Sequence, residues 1–417
     1  MKIISDLHIH SRFSRACSKA INIPNLEKYA KIKGINLLGT GDFTHPLWIK
    51  ELKENLKTED GILKTESGFP FLLSTELANI YSQDGKGRRV HIVMLAPDFE
   101  TVDQINEELL KHGRLDYDGR PIFGFSCVEL VDMMMSINKD IEIIPAHIWT
   151  PWFSIFGSKS GFDTLEECFK EKTKHIHALE TGLSSDPAMN WRLSQLDKYS
   201  LVSFSDLHSF WPWRMGREAT VFDTELNYKS ILNALRTKEG LVETIEVDPS
   251  YGKYHFDGHR NCNVCLEPKE SQKLHNNCPK CGRQLTIGVL NRVEELADRE
   301  EGFKPEGAKP FKSLIPLSEI ISSVLKINQL YSKKIWDVYN TLTNKFGSEL
   351  NILTDVSFND LREIVDEKIA DAIIKIREGR VKIQPGYDGV YGEPLFGGKK
   401  AIIETTIPEK QKNLSDF

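Results

Sequence analysis

The start of the chain carries residues that commonly bind metal ions. After two isoleucines it reads Asp6-Leu7-His8-Ile9-His10. In an extended segment successive side chains point to opposite faces, so Asp6, His8 and His10 share one face. Such a face is typical either of a metal-binding edge or of an ordinary surface strand.

Residues of the same chemistry recur later, next to short apolar runs. Most of them follow the end of a run, and one opens a run. They are Asp42, His45, Glu76, His91, His147, Glu180, Asp206 and His208. This recurrence favours the interpretation as a metal site.

The number of these residues indicates more than one ion. Six of the twelve histidines belong to the set, whereas one tetrahedral zinc takes about four ligands in all. A carboxylate that bridges two neighbouring ions accounts for the excess. Paired ions of this kind activate water and neutralise the charge of a phosphate, which predicts phosphoester hydrolysis. Mixed imidazole and carboxylate ligands suit Zn, Mn or Fe, and suit Mg less well.

Four of the residues allow a second interpretation. Glu180 and Asp42 could orient a ligand histidine instead of touching a metal, and Asp6 could hold its strand. His91 could be a packed core histidine because it lies at the start of an apolar run. The sequence leaves both interpretations open.

Strands and helices must alternate to bring these residues together. Periodicity predicts helices near 24–33, 46–57, 101–113, 127–137, 162–171, 187–198 and 228–238, and strands near 35–40, 176–180, 201–205 and 241–246. About seven strand and helix repeats in roughly 250 residues predict a closed α/β barrel of the TIM-like kind. In such barrels functional groups lie at the carboxyl ends of the strands, where most of the candidate ligands fall.

Two Cys-x2-Cys pairs give the most specific local pattern. Twelve residues separate Cys262 and Cys265 from Cys278 and Cys281. This spacing predicts a closed structural zinc site that folds a small subdomain. Residues 251–293 hold seven Lys or Arg against three Asp or Glu, which is typical either of a phosphate-binding surface or of a solvated one.

Four segments follow from these patterns. We expect a metal-dependent barrel over 1–250, a four-cysteine zinc-binding subdomain over 251–300, a mainly helical region over 301–400 and a tail over 401–417. The net charge of −6 excludes a polycationic coat protein. No apolar run approaches the about 20 residues that span a bilayer, so we expect a cytoplasmic protein without a membrane partner.

The motifs around the candidate ligands resemble the polymerase and histidinol phosphatase (PHP) superfamily. The resemblance lies in residues 6–11, 41–45, His147 and 205–208. It implies a distorted seven-stranded barrel that binds two or three metals for phosphoester hydrolysis. The implied first metal has His8, His10, Glu76 and Asp206 as ligands, the second has Glu76, His91 and His147, and the third has His45 and His208. Residues 12–20 lack the acidic or histidine ligand that many members carry after the first motif.

A closer resemblance covers almost the whole chain. The barrel, the four cysteines, residues 288–298 and residues 385–389 together resemble the endonuclease Q family. This resemblance implies a DNA repair endonuclease that cuts on the 5′ side of deaminated bases (hypoxanthine, uracil, xanthine) and of abasic sites. The products would carry a 3′-hydroxyl and a 5′-phosphate.

Aromatic residues in predicted loops are candidates for contacts with an extruded base. They are Trp149, Trp152, Phe153, Trp211, Trp213 and Tyr387. A place in the hydrophobic core explains each of them equally well.

The end of the chain predicts a protein partner. Gln411, Leu414 and Phe417 have the Gln-x-x-Leu-x-x-Phe spacing of peptides that bind the sliding clamp PCNA.

Two other functions remain compatible with the sequence. A small-molecule phosphatase of the histidinol-phosphate type would need neither the cysteine subdomain nor the helical region. A DNA-binding scaffold that has lost catalysis would lack metal ligands. Turnover of a phosphate monoester and metal content distinguish these from an endonuclease.

Overall fold

The computed structural model describes residues 1–395. Its strands are β1 Lys2–Asp6, β2 Leu37–Gly39, β3 Lys57–Glu59, β4 Ile62–Lys64, β5 Pro70–Leu72, β6 Ser74–Gln83, β7 Lys86–Leu95, β8 Ile122–Phe123, β9 Glu142–Pro145, β10 Ala178–Glu180, β11 Ser200–Val202, β12 Ala219–Asp223, β13 Leu241–Glu246, β14 Asp257–His259, β15 Val264–Leu266, β16 Phe311–Ser313, β17 Lys382–Gln384 and β18 Glu393–Leu395. Its α-helices are α1 Ile23–Lys33, α2 Pro46–Asn55, α3 Phe99–Leu110, α4 Cys127–Ile137, α5 Leu165–Phe169, α6 Pro187–Asn190, α7 Tyr228–Thr237, α8 Pro268–Lys273, α9 Val289–Leu296, α10 Leu317–Leu325, α11 Lys333–Phe346, α12 Glu349–Thr354, α13 Phe358–Arg362 and α14 Glu367–Arg377. The predicted clamp-binding residues Gln411, Leu414 and Phe417 lie outside the described residues.

The strands around the candidate ligands form a mixed α/β arrangement. An eight-stranded sheet has the order β16-β13-β12-β1-β2-β5-β4-β3, and a four-stranded sheet has the order β8-β6-β7-β9. The parallel pair β10 and β11 forms a third sheet. Backbone hydrogen bonds from Ile148 to Glu180 and from His10 to Leu207 link neighbouring sheets. These links fit the predicted distorted barrel, whose closure by seven strands stays a prediction.

The direction of β7 explains why one candidate ligand breaks the pattern. Strand β7 runs antiparallel to both β6 and β9. Strand β9 ends at Pro145, which pairs with Ile92 of β7, so His91 lies at the edge at which β9 ends. His91 lies on β7 opposite Ala78, so it faces the site although an apolar run follows it. A strand that ends at Glu76 is predicted from the apolar run 71–73, but Glu76 lies inside β6, which continues to Gln83.

The predicted boundary of a helix is correct where a capping motif in the nearby sequence marks it. The predicted helix 127–137 is confirmed as α4, which begins with a capping box between Ser126 and Glu129. The helix predicted over 187–198 is wrong beyond Asn190. The buried Asn190 side chain donates to Ser185 Oγ and to the Asp186 carbonyl. Such bonds compete with continuation of the helix.

A buried ion pair ties the C-terminal helices to the first part of the chain. Lys33, at the end of α1, and Glu349, at the start of α12, are both buried, and Lys33 Nζ lies 2.7 Å from Glu349 Oε1. Lys33 also donates to the Pro212 carbonyl. Glu349 accepts further hydrogen bonds from the Tyr339 hydroxyl and the Leu317 amide. One hydrophobic core runs through both regions, so helices α10 to α14 form part of the same packed unit.

Replacement of Lys33 by methionine should lower the free energy of unfolding by about 3–5 kcal/mol, because it leaves Glu349 buried without a countercharge. Denaturant unfolding measures this loss. The matched control is Lys31→Met on the same helix, where an exposed pair with Glu27 is lost and the expected cost is below about 1 kcal/mol. An equal loss of unfolding free energy in the two variants would contradict the conclusion that Lys33 and Glu349 form a stabilising buried ion pair.

Two carboxyl groups meet inside the sheet next to the site. Glu218 directly precedes β12 and Glu246 ends β13, and the antiparallel register places them side by side. Both are fully buried. Burial raises the pKa of Glu246 to about 7, and burial together with Glu246 raises the pKa of Glu218 well above its ordinary value. The pair therefore retains a proton near neutral pH.

This pair predicts a pH dependence of stability. A carboxyl group whose pKa is higher in the folded than in the unfolded state stabilises the fold while protonated, and the contribution is lost as pH rises through the folded pKa. We expect the melting temperature of the wild-type protein to fall between about pH 4.5, the ordinary pKa of a glutamate, and about pH 7, the pKa of the buried Glu246, and that of Glu246→Gln to fall less. The exposed Glu225→Gln serves as control, and parallel curves for all three proteins would refute the prediction.

Within residues 1–395, no helix is both long and apolar enough to cross a membrane.

Candidate metal centre and active site

Four side chains from distant parts of the chain meet at one point. Donor atoms of His8, His10, Glu76 and Asp206 lie within 4.8 Å of one another. His10 Nε2 lies 3.2 Å from Glu76 Oε2 and 3.1 Å from Asp206 Oδ1. His8 Nε2 lies 3.5 Å and 3.6 Å from the same two oxygens. These are the residues that the sequence predicts for a first metal.

A second group of donors shares one residue with the first. Glu76, His91 and His147 also present donor atoms within 4.8 Å of one another. Glu76 Oε1 lies 2.7 Å from His91 Nδ1 and 3.3 Å from His147 Nε2. The two oxygens of Glu76 therefore face different groups, as a bridging carboxylate requires.

Unpaired polar atoms indicate that these groups fit metal ions. Four buried atoms, His8 Nε2, His10 Nε2, Glu76 Oε1 and Asp206 Oδ1, have no partner in hydrogen-bonding geometry among residues 1–395. A buried polar atom without a partner costs about 1–3 kcal/mol. Each of these atoms is of a type that binds Zn, Mn or Fe, so a divalent ion in each group would satisfy them.

Buried carboxylates orient the histidines. Glu180 lies 2.9 Å from His8 Nδ1 and accepts the backbone N–H of His147. Asp42 lies 3.0 Å from His10 Nδ1. With Nδ1 engaged in this way, Nε2 of each ring is directed into the site. The positions of Glu180 and Asp42 support the interpretation in which they orient ligands.

Asp6 differs in its contacts from His8 and His10, with which the sequence predicts a shared face. Its carboxylate accepts hydrogen bonds from the Ser205 amide, the Ser205 hydroxyl and the Gly216 amide. It therefore holds β1 to the loop that carries Asp206. This supports the alternative in which Asp6 maintains the strand.

The charges of the site keep its carboxylates ionised. Burial would raise the pKa of Glu76, but His91, Arg120 and His8 lower it well below its ordinary range. Burial would likewise raise the pKa of Asp206, and His10 and His8 lower it. Both groups are therefore available as anionic ligands at neutral pH.

Several site residues lie on unusual backbone turns. Asp42, His147 and Asp206 have φ values of 46°, 31° and 47°, in the left-handed region that non-glycine residues rarely adopt. Each lies within a few residues of the end of an apolar run. Such conformations cluster at functional sites, where the surrounding fold maintains them.

The third metal site, with His45 and His208 as ligands, stays a prediction. Within residues 1–395, His45 and His208 belong to no group of three close donors. His45 is buried at the start of α2, and its ring stacks on Phe13 with centroids 4.3 Å apart. The ring of His208 instead packs on His10 at 4.8 Å.

The cysteine subdomain gathers three of its four predicted ligands. Donor atoms of Cys262, Cys278 and Cys281 lie within 4.8 Å of one another and of His259. Cys265 is outside this group, which corrects the prediction of four cysteines. The reason is strand alternation, since its neighbours Val264 and Leu266 point into a small core and Cys265 must point to the other face of β15.

Most of the predicted base-contacting aromatics are buried or packed against protein. Trp149 and Trp213 are buried, and the Trp149 ring N–H donates to Asn190. Trp211 stacks on Trp213 with centroids 5.2 Å apart. These positions support the core interpretation.

The other three candidates differ among themselves. Tyr387 is buried and donates its hydroxyl hydrogen to Asn263. Phe153 packs on the ring of His91 at 4.6 Å. Trp152 is the exposed one of the three, with its ring edge against Tyr254. A base contact by Phe153 or Trp152 therefore stays a prediction.

An open cavity of about 540 Å³ adjoins the metal centre. His147, Asp206 and His208 belong to its wall. The wall also includes Arg214, Arg217, Lys253, Tyr254 and Tyr391. The sequence analysis missed these five residues because they come from loops without a recognisable motif.

Arg120 is a further residue that sequence reasoning missed. Its Nη1 lies 2.8 Å from Glu76 Oε2, inside the metal centre. Burial would lower the pKa of Arg120, but Glu76 and Asp206 raise it. The guanidinium is therefore charged beside the first donor group. The nearby sequence gives no periodic or motif signal for this role.

Comparison of sequences identifies several relatives. Residues 316–380 match the family model described as the MJ0043 C-terminal domain. The uncharacterized protein MJ0043 of Methanocaldococcus jannaschii is 31% identical over 258 residues, which is 60% of this chain and 32% of that protein. The chain thus spans about a third of the length of that relative. The uncharacterized protein YqxK of Bacillus subtilis is 29% identical over 418 residues, 94% of this chain and 99% of that protein.

Comparison of structures gives matches over the whole chain. The lesion-specific endonuclease PfuEndoQ from Pyrococcus furiosus is 32% identical with a TM-score of 0.85, and the match covers 100% of this chain and 99% of that one. Endonuclease Q in complex with a 27-mer duplex that has an abasic lesion at the active site also gives 32% identity and a TM-score of 0.85, over 94% and 96% of the two chains. A similarity of this extent, together with the assembled donor groups, establishes that the chain belongs to the endonuclease Q family.

Proposed function

We propose that this protein is a metal-dependent DNA repair endonuclease that hydrolyses the phosphodiester bond on the 5′ side of deaminated bases and of abasic sites. The proposed deaminated bases are hypoxanthine, uracil and xanthine. The observation that carries the proposal is the pair of donor groups that share Glu76 next to an open cavity. Membership of the endonuclease Q family supports it, because a relative has been captured on a duplex with an abasic lesion.

Two metals held by the shared site would activate water and neutralise charge on the scissile phosphate. The chain itself supplies the geometry. Glu180 and Asp42 fix the rings of His8 and His10, so that the histidine donors do not have to reorganise during the reaction. The products would carry a 3′-hydroxyl and a 5′-phosphate.

The cavity supplies a place for the damaged nucleotide. Arg214, Arg217 and Lys253 give its wall positive charge, which attracts the phosphate backbone. Tyr254 and Tyr391 present aromatic rings on which an extruded base can stack. A damaged or mismatched base costs less to extrude than a paired one, which favours lesions over intact DNA.

The group of His259, Cys262, Cys278 and Cys281 has the donor set of a structural zinc site. In this proposal it folds the basic subdomain that follows the barrel and helps to bind DNA. The sliding clamp PCNA stays a prediction from the tail sequence.

The test uses end-labelled duplexes that contain one deoxyinosine, one deoxyuridine or one abasic site, with an undamaged duplex beside them. In Mn²⁺ or Mg²⁺ we expect a cut one bond 5′ of each lesion and none in the undamaged duplex. Asp206→Asn should abolish the cut. Asp103→Asn changes an exposed aspartate of α3 that pairs with Lys53 of α2, and this variant should leave the cut intact.

Turnover of histidinol phosphate without any cut in lesion DNA would contradict the proposal and favour a small-molecule phosphatase. Lesion-specific binding without turnover, in a protein that retains its metals, would favour a non-catalytic scaffold.

A further inference from the structure

A short segment between α3 and β8 reaches into the metal centre. Asp118 is buried and accepts the backbone N–H groups of Arg15 and Arg120. The Asp118 carboxylate also lies 3.2 Å from Arg15 Nε. These contacts fix the segment 118–120 to the loop that follows the first ligand histidines.

The middle residue of this segment lies against the orienting carboxylate. A Cβ atom on Gly119 would approach Asp42 Oδ2 to 2.2 Å and Ser14 Oγ to 2.3 Å. Only glycine therefore permits this close approach. The Gly119 amide donates to the Phe13 carbonyl, and the Gly119 carbonyl accepts from the Thr44 hydroxyl. The backbone that carries Arg120 is thus held from both sides.

The side chain of Arg120 uses only part of its hydrogen-bonding capacity. One N–H of Nη1 donates to Glu76 Oε2. Within residues 1–395 the side chain makes no other hydrogen bond, and a quarter of its surface is exposed. A guanidinium has five N–H donors in a planar fork. The remaining donors are therefore available to a ligand.

Glu76 can hold Arg120 and a metal at the same time. Each carboxylate oxygen has two lone pairs, and Oε2 of Glu76 faces His8 and His10 as well as Arg120. Arg120 therefore does not have to leave when the first donor group is filled. Arginine forks match the oxygens of a phosphate closely, and fixed positive charge is most effective where negative charge develops.

We propose that Arg120 is a catalytic residue that binds the non-bridging oxygens of the scissile phosphate, while Glu76 and the segment 118–120 hold it in place. It supplies fixed positive charge beside the first donor group. The proposal rests on the proposed function only in that the substrate is a phosphodiester.

The experiment compares Arg120→Ala and Arg120→Lys with the wild-type full-length protein on two substrates, the abasic duplex and bis(p-nitrophenyl) phosphate. At saturating metal we expect kcat of Arg120→Ala to fall by about 100–1,000-fold on both substrates. The metal content and the metal concentration for half-maximal activity should change little. Arg120→Lys should lose less, and added guanidinium chloride should partly restore Arg120→Ala. Arg114→Ala, which removes an exposed guanidinium from the same connection, should retain wild-type rates.

Other outcomes overturn the proposal. An unchanged kcat for Arg120→Ala would exclude a contact with the phosphate. A rate that extra metal restores would mean that Arg120 only positions Glu76. Calorimetric binding of inorganic phosphate to the metal-loaded proteins gives a readout that does not need turnover, and equal affinities of wild type and Arg120→Ala would also refute the contact.

The two proposals fail in distinguishable ways. If the wild-type protein cleaves bis(p-nitrophenyl) phosphate but no lesion duplex, the proposed function is wrong, whereas the effect of Arg120→Ala on that substrate still decides the role of Arg120. If the wild type cleaves neither substrate, the proposed function is again wrong. The calorimetric binding of inorganic phosphate then decides whether Arg120 contacts a phosphate.

Discussion

Glu76→Gln should remove metal from both donor groups and lower the rate of DNA cleavage by at least about 1,000-fold. The amide cannot supply two anionic oxygens, and Glu76 is the one residue that belongs to both groups. Charge stabilisation by a metal pair is worth several kcal/mol, and each 1.36 kcal/mol corresponds to a factor of ten in rate. Metal content per chain and single-turnover cleavage of the abasic duplex measure the two effects.

Two further variants provide comparisons for the effect of Glu76→Gln on metal binding. Glu180→Gln affects the site only through His8 and the His147 amide, so we expect a loss of about 10–100-fold in metal affinity. Glu54→Gln changes an exposed glutamate on α2 and should have no effect. If Glu76→Gln kept the metal content of the wild type, the shared carboxylate would not be the bridge between two ions.

His259→Ala should release the ion of the cysteine subdomain, whereas Cys265→Ser should retain it. The expectation follows from the donor group, which contains His259 and excludes Cys265. Structural zinc sites contribute about 10–16 kcal/mol to the folding of zinc-finger peptides. Loss of the ion should therefore unfold the subdomain and weaken DNA binding, while cleavage of bis(p-nitrophenyl) phosphate by the barrel continues.

Zinc content and fluorescence anisotropy with a labelled duplex test this pair of variants. Cys278→Ser is the positive control, because Cys278 is a ligand in either arrangement. The opposite result, with zinc lost in Cys265→Ser and kept in His259→Ala, would restore the set of four cysteines that the spacing predicts.

Much of the metal centre could be predicted from the order of residue types. His8, His10, Glu76, His91, His147 and Asp206 stand next to apolar runs in the sequence, and the structure gathers all six into two donor groups. This works because the path of a strand fixes where its end residues lie, and neighbouring strands bring their ends to one edge. The sequence left open which carboxylates bind a metal and which only orient a histidine, because that depends on which oxygen faces which ring.

The elements were predictable to different degrees for a physical reason. Helix α4 starts at a capping box that is complete within a few residues, so its beginning is a local property. Helix α6 stops early because the Asn190 side chain donates hydrogen bonds to Ser185 and Asp186. The hydrophobic periodicity of the sequence does not reveal such bonds. The antiparallel course of β7 is a property of the whole sheet.

By itself the sequence determined the candidate metal donors next to the apolar runs, the α/β class and the presence of a cysteine subdomain, because each depends on residue types and short spacings. Tertiary structure alone decided that Glu180 and Asp42 lie against the ligand histidines, that His259 takes the place expected for Cys265, and that Arg120 reaches Glu76. These features join residues that are far apart along the chain or depend on which face of a strand a side chain occupies. Only the packed structure fixes such distances and directions.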